Sequence, residues 1–255
     1  MHKKSIALLL AALICLALPS CGAEQPTGDQ TKPTKQTTTS TQVDYAPTAY
    51  DGSPYVEVNN NIPDFPESDF TTTSFETYGK LDSLGRCTTA YANIGQDLMP
   101  TEKRGDISQV KPSGWHSVRY DCVEGKSLYN RCHLIGYQLT AENANDKNLI
   151  TGTRYLNTEG MLPFENMVAD YIKETGNHVL YRVTPIYNGD NLVADGVQME
   201  AMSVEDDGEG ITYHVYCYNV QPGVGIDYAT GESWLESTTS SSDSTQKDTK
   251  PVKQD

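Results

Sequence analysis

Residues 130–165 read NRCHLIGYQLTAENANDKNLITGTRYLNTEGMLPFE, and most of the side chains suited to chemistry are concentrated in this stretch. Arg131 and His133 stand two positions apart at its start. On an extended strand, side chains at positions i and i+2 point to the same face. The pattern therefore predicts a cation and a potential base that face one site.

An amphipathic helix is predicted over residues 156–173, from the end of this stretch onward. Pro163 fits the first turn of a helix, and Gly176 followed by Asn177 is typical of a helix end. Apolar residues recur at a spacing of three and four, which is the period of one helix face. They are Leu156, Met161, Phe164, Met167, Val168, Tyr171 and Ile172.

Two oxygen-bearing side chains of this helix are candidates for a metal site. Asn157 and Glu165 lie eight residues apart. Eight residues are about two helical turns, so both side chains are expected on roughly the same side of the helix. An amide oxygen and a carboxylate in that arrangement suit Mg²⁺, a hard cation that takes only one or two protein ligands.

The rest of the central region predicts an antiparallel sheet. Runs rich in Val, Ile and Tyr are separated by short turns such as residues 188–191, whereas a parallel crossover needs a dozen or more residues. With the helix packed on this sheet, the expected fold class is α+β. The predicted strands cover residues 55–58, 89–94, 115–120, 178–187, 192–204 and 211–220.

The two ends of the chain differ from its centre. Lys3 and Lys4 precede an apolar run at residues 6–18, which is typical of a signal peptide and too short to span a bilayer comfortably. Residues 18–22, LPSCG, resemble a bacterial lipobox, in which Cys21 would carry the lipid; an ordinary secreted protein is the alternative. We expect a lipoprotein signal peptide at 1–20, a disordered tether at 21–45, one domain at 46–235 and a disordered tail at 236–255.

The charge balance limits how this protein could bind a polyanion. The 255 residues include 19 Lys and Arg against 34 Asp and Glu, for a formal net charge of −15. Such a chain does not hold nucleic acid by a broad basic surface. A polyanionic substrate would need a local basic site or a metal ion. An anionic membrane surface would also repel the domain, so membrane attachment would depend on a lipid anchor.

Four cysteines fall within the predicted domain: Cys87, Cys122, Cys132 and Cys217. They allow three complete disulfide pairings. Export permits disulfides, and a partly reduced set is the alternative. Cys132 is not expected to be a nucleophile, because its side chain would point away from His133 on an extended strand.

Three motifs together resemble those of the DNA/RNA non-specific endonuclease family. They are NRCHLIGY at residues 130–137, NLIT at 148–151 and LNTEGM at 156–161, and the likeness covers about residues 82–234. It is closest to the secreted and surface-attached bacterial branch, which includes streptococcal DNases. The resemblance implies a ββα-metal nuclease core with a central antiparallel sheet and a packed metal-site helix. It also implies Mg²⁺-dependent hydrolysis of DNA and RNA, with Mn²⁺ as a substitute and 5′-phosphates on the products.

The resemblance also implies a role for each matched residue. His133 would be the general base and Arg131 would contact phosphate. Asn157 would ligate Mg²⁺ directly, and Glu165 would orient the water shell of the metal. Asn148 matches a motif residue that helps to shape the site.

Two positions depart from the family motif, which usually reads Asp-Arg-Gly-His. Asn130 replaces the Asp and cannot supply a carboxylate, and Cys132 replaces the Gly. Because the Arg and the His are retained, we expect the chemistry to be retained as well. Arg154 is predicted either to contact the substrate backbone or to pair with a carboxylate. The other histidines of the predicted domain, His116, His178 and His214, lie outside the motifs, and structural roles are expected for them.

Two other functional classes fit parts of the sequence. A catalytically silent surface receptor that binds nucleic acid for DNA uptake or adhesion could share the fold, but the presence of His133, Asn157 and Glu165 favours an enzyme. A nuclease effector directed at rival cells would have an immunity or inhibitor protein as its partner. We expect an exported monomer that is lipid-anchored on the extracellular face of the cell membrane.

Overall fold

A computed structural model of the protein describes residues 49–237. Within them the chain forms ten strands and two α-helices, α1 (Tyr137–Thr140) and α2 (Leu162–Thr175). The strands are β1 (Tyr55–Glu57), β2 (Phe75–Tyr78), β3 (Ala90–Ile94), β4 (Tyr129–His133), β5 (Leu149–Thr153), β6 (Val179–Ile186), β7 (Gly196–Ser203), β8 (Thr212–Tyr218), β9 (Val224–Ile226) and β10 (Ser233–Leu235).

Six of these strands form one antiparallel sheet in the order β1-β8-β7-β6-β3-β2. The long strands β6, β7 and β8 follow one another in sequence and in space, as the short turns between their Val-, Ile- and Tyr-rich runs predict. Phe164, Val168 and Ile172 of α2 lie in the same buried apolar cluster as residues of this sheet. The α+β fold class with a central antiparallel sheet and a packed helix is therefore confirmed.

The strand predicted over residues 115–120 is wrong. Within that range only Arg119 forms a bridge, to Ser127. Gly114 has a φ of +65°, which turns the chain just before the range begins. Three residues of the range pack beside a small apolar cluster around Leu128, so side-chain packing and not a strand ladder makes them partly buried. They are Trp115, Val118 and Tyr120.

Strands β4 and β5 form a separate two-stranded ribbon that is not part of the six-stranded sheet. The buried amide of Asn219 connects the two parts of the fold. Its Oδ1 accepts the backbone N–H of Thr153 in β5 at 2.8 Å. Its Nδ2 donates to the carbonyls of Thr151 at 3.1 Å and Ala194 at 2.8 Å. One side chain thus holds the ribbon against the end of β7.

The predicted helix over residues 156–173 is present, but it begins with a π-helical turn, Leu156–Met161, before α2. An α-helix rotates each residue by about 100°, so eight α-helical residues would leave Asn157 and Glu165 roughly 80° apart. A π-helical turn is wider, with hydrogen bonds from i to i+5, and rotates each residue by less. The turn therefore brings the two side chains closer to one face. The helix ends at Gly176 in the left-handed conformation, as predicted.

Several predictions concern residues outside 49–237, namely the signal peptide, Cys21, the tether and nearly all of the tail. None of the helices that the structure describes is long and apolar enough to cross a bilayer. The four cysteines of the described range are free thiols, three of them buried, so none of the three disulfide pairings is formed there.

Candidate functional site

An open cleft of about 290 Å³ lies beside strand β4. Arg104 and Arg131 are the charged residues in its wall, which contains no carboxylate. The wall is completed by Ile107, Trp115, Ser127, Tyr129, Asn130 and Asn157. In a chain with a formal charge of −15 this cleft is locally positive, and a polyanion requires such a place.

His133 ends strand β4 and is 6% exposed. Its Nε2 lies 2.8 Å from the carbonyl oxygen of Asn143. A carbonyl only accepts hydrogen bonds, so Nε2 carries the proton in the neutral ring. The lone pair is then on Nδ1, the nitrogen that lies 3.4 Å from Nη2 of Arg104.

Burial lowers the pKa of His133 to about 4, and the positive charge of Arg104 acts in the same direction. The hydrogen bond with Asn143 opposes both effects without cancelling them. The ring is therefore neutral at physiological pH, with one nitrogen fixed as a donor and the other able to accept a proton.

Arg131 faces the cleft, and its guanidinium is held by three contacts. Nε donates to the carbonyl of Val110 at 2.5 Å and Nη2 donates to that of Ser108 at 2.6 Å. The group also lies over the ring of Trp115, 4.1 Å from its centroid. The two hydrogen bonds use the Nε/Nη2 edge of the guanidinium and anchor the loop that follows Arg104. Nη1 is therefore the nitrogen of Arg131 that is best placed to bind a phosphate.

Arg104 belongs to the site, although no pattern in the sequence predicts it. It is exposed, lines the cleft and lies against His133, although 29 residues separate the two in sequence. Its charge also lowers the pKa of Glu165, so it acts on both ends of the site. It belongs to no recognised motif, and the adjacent Lys103 is the one local signal, a pair of cations in an acidic chain.

Asn157 and Glu165 both lie near Cys132. Asn157 lines the cleft, and its Oδ1 accepts a hydrogen bond from the Cys132 thiol at 3.1 Å. Glu165 lies against Gly136, directly after the β4 segment. Burial raises the pKa of Glu165 to about 7, against the opposing effects of Arg104 and a hydrogen bond from Gln138.

The donor set of this region fits a hard divalent cation. It combines the neutral amide oxygen of Asn157 with the carboxylate of Glu165, and Mg²⁺ prefers such oxygen ligands and keeps several waters. A nearby cation would favour the ionised form of Glu165 over the protonated one. Within residues 49–237 there is no group of three or more His, Cys, Asp or Glu side chains arranged to hold a metal ion.

Asn148 is fully buried and is absent from the cleft wall. Its Oδ1 accepts the N–H of Ile135 at 2.9 Å, and its Nδ2 donates to the carbonyl of the same residue at 2.9 Å. The carbonyl of Asn148 also accepts the N–H of Leu134 at 2.9 Å. These bonds hold the backbone that directly follows His133.

Arg154 forms an ion pair with Glu124, with Nη2 lying 3.2 Å from the carboxylate. Pairing with a carboxylate was one of the two roles predicted for this residue. A contact of Arg154 with substrate remains a prediction. The other histidines within residues 49–237 bond to the protein away from the cleft wall. His116 contacts the carbonyl of Thr230, His178 pairs with Glu205, and His214 contacts the carbonyl of Ile62.

Comparison with known proteins identifies a family and several solved relatives. The sequence model of the DNA/RNA non-specific endonuclease family matches residues 68–205. The magnesium-bound structure of NucA from Streptococcus agalactiae aligns with a TM-score of 0.63 and 27% identity, over 71% of this chain and 86% of NucA. The Sda1 nuclease with bound zinc aligns with a TM-score of 0.58 and 26% identity, over 73% of this chain and 97% of Sda1.

The position of the Glu165 carboxylate should depend on Gly136. A Cβ added at position 136 would lie 2.8 Å from Oε2 of Glu165. Alanine tolerates the backbone φ of −58° at this position, so we expect Gly136→Ala to keep its melting temperature but to bind Mn²⁺ roughly tenfold more weakly in calorimetry. In a Glu165→Gln background the same change should cost nothing further. Wild-type affinity in the single variant would contradict this arrangement.

The ionisation of His133 can be measured directly. With ¹³C-labelled histidine, we expect the His133 ring to titrate by NMR near pH 4, since burial and Arg104 both disfavour its charged form. His133→Ala identifies the signal. Arg104→Ala should move the midpoint upward, toward the ordinary value of about 6.5. A wild-type midpoint near 6.5 would show that the ring is not held neutral by its surroundings.

Proposed function

This chain belongs to the DNA/RNA non-specific endonuclease family and is a nuclease, and from this premise we propose that it is a magnesium-dependent enzyme that cuts both DNA and RNA. One observation carries the proposal: a neutral histidine, His133, contacts Arg104 in the wall of a positive cleft that also contains the Asn157 amide. Metal-dependent phosphodiester hydrolysis requires a base, a cation that binds the phosphate and an oxygen atom that binds the metal.

His133 acts as the general base. The carbonyl of Asn143 holds the ring with Nε2 protonated, so Nδ1 takes the proton from the attacking water. A pKa of about 4 ensures that the ring is unprotonated before each turnover at neutral pH. It also makes His133 a weaker base than an exposed histidine, so the reaction depends strongly on charge neutralisation at the phosphate.

Arg104 and Arg131 supply part of that neutralisation. The contact between Arg104 and His133 is 3.4 Å long, whereas hydrogen bonds donated by N–H groups in proteins are typically about 2.7–3.2 Å long. The contact is therefore weak, and the exposed guanidinium can turn its donors to a phosphate. Arg131, with two of its nitrogens bound to carbonyls, contributes mainly a fixed positive charge and Nη1.

Asn157 would hold the Mg²⁺ directly and Glu165 would hold it through water. When bound, the ion supplies a Lewis acid that neutralises negative charge on the scissile phosphate. Mn²⁺ has similar ligand preferences and is expected to substitute. The solved relatives carry magnesium in NucA and zinc in Sda1, so a metal is supported, and the oxygen donors of this chain favour magnesium.

The substrate is recognised through its backbone. Contacts to phosphates fix the position of a nucleic acid but carry no sequence information. Both cleft arginines suit phosphate, which DNA and RNA share, so cleavage of both and the absence of sequence specificity follow from one mode of binding. As the family resemblance implies, the 3′ oxygen is the leaving group and the fragments keep 5′-phosphates.

The enzyme works outside the cell, attached by a lipid on Cys21. The charged and apolar leader with its lipobox-like end supports this location, and residues 21–45 would serve as the tether. The domain acts as a monomer, and an immunity or inhibitor protein is a further partner that fits the same activity.

Activity and metal dependence are tested together on plasmid, single-stranded DNA and RNA. Mg²⁺ or Mn²⁺ should support cleavage of all three, and EDTA should abolish it. His133→Ala should lower turnover by roughly 10²- to 10⁴-fold, because no other base lies at that position. Asn157→Ala should instead be partly rescued by high Mg²⁺. His178→Ala, which removes a histidine paired with Glu205, is the matched control and should keep wild-type activity.

Two results of that assay would overturn the proposal. Full activity in EDTA would exclude the metal-dependent mechanism. Binding of nucleic acid without cleavage under any metal would identify the silent receptor.

The lipid anchor is tested by cell fractionation. Cys21→Ala should release the protein from the membrane fraction without changing its specific activity, because the variant lies outside the predicted domain. The mass of the mature wild-type protein should include the lipid on its first residue. An unmodified Cys21 would exclude lipidation.

A further inference from the structure

The two departures from the family motif lie on one face of strand β4. Asn130 and Cys132 are separated by two positions, so they face away from Arg131 and His133. Cys132 is fully buried and contacts Oδ1 of Asn157 at 3.1 Å, and both Asn130 and Asn157 line the cleft. Of the two unusual residues, Cys132 is therefore the one that contacts the proposed metal ligand.

The fold makes room for this cysteine. Gly152 of the neighbouring strand β5 lies beside it, and a Cβ at position 152 would be only 2.6 Å from Cβ of Cys132. On its other side the Cys132 sulfur lies 3.5 Å from the sulfur of Met161, at the end of the π-helical turn. The thiol is therefore confined among β4, β5 and the turn that carries Asn157.

The direction of the hydrogen bond follows from the chemistry of the two groups. An amide oxygen can only accept, so the thiol donates. A cysteine thiol has an ordinary pKa of about 8.5, so it carries the proton that this bond needs at neutral pH. An amide oxygen has two lone pairs, and the S–H group occupies one of them. The second remains for a cation.

We propose that Cys132 is a positioning residue for the metal site, whose thiol holds the Asn157 amide in the orientation that presents oxygen to the cation. In the opposite orientation the NH₂ group would occupy that place, and an NH₂ group cannot bind a metal ion. The glycine that is usual in the family at this position has no such donor. The inference rests on the proposed function, because it takes Asn157 as the metal ligand.

The test measures metal affinity without substrate, by titrating Mn²⁺ into the full-length protein and following free Mn²⁺ by electron paramagnetic resonance. Cys132→Ala should weaken Mn²⁺ binding roughly tenfold, as loss of a partner that orients a ligand typically does. Cys132→Ser keeps a donor and should stay within about twofold of wild type. Cys217→Ala is the matched control, a buried thiol of the same apolar cluster that faces Met199, and its affinity should not change.

The outcomes separate this inference from the proposed function. Wild-type affinity in Cys132→Ala, with a loss in Asn157→Ala, would overturn the role of Cys132 alone. Equal losses of Mn²⁺ affinity in Cys132→Ala and Cys217→Ala would show that the effect comes from core packing and would overturn the role of Cys132. A Cys132→Ser variant that binds Mn²⁺ as weakly as Cys132→Ala would overturn it as well. Wild-type affinity in Asn157→Ala would overturn the metal-site assignment itself.

Discussion

The site depends on buried amide hydrogen bonds that fix a two-stranded ribbon lacking strand neighbours in the main sheet. The amide of Asn219 ties β5 to the six-stranded sheet, and the amide of Asn148 ties the backbone after β4 to the loop before β5. Buried polar groups are costly when unpaired, so each amide tolerates only a narrow range of geometries. His133 and the turn that carries Asn157 are positioned by these constraints.

Burial also sets the chemical state of the site. Removing a group from water disfavours its charged form, which keeps His133 neutral, Cys132 protonated and Glu165 only weakly acidic. Arg104 remains exposed and charged at the mouth of the cleft. The site therefore presents little fixed negative charge to an incoming phosphate before a cation binds, while the carboxylate of Glu165 can ionise when a cation is present.

The sequence predicted those parts that depend on local pattern. Strands β6, β7 and β8 and the helix end at Gly176 follow from residue periodicity and turn residues. The parts that depend on tertiary contacts were not predicted. Arg104 lies in a loop without secondary structure and contacts His133. Backbone carbonyls bind the Nε/Nη2 edge of the Arg131 guanidinium. The π-helical turn changes the angle about the helix axis between Asn157 and Glu165.

An acidic nuclease must bind a polyanion although its net charge repels it. The repulsion from each carboxylate depends on its distance from the phosphate in the cleft. At physiological salt, exposed charges are screened over about 8 Å, so carboxylates elsewhere on the domain act weakly on a phosphate in the cleft. Two arginines lie in the wall of the cleft, which contains no carboxylate, and Asp106 is close enough to Arg131 to interact with it. The net charge of −15 acts mainly at long range, where it slows the approach of nucleic acid and repels anionic lipid headgroups. Binding is therefore governed by the few charges within one Debye length of the scissile phosphate, and composition alone could not reveal them.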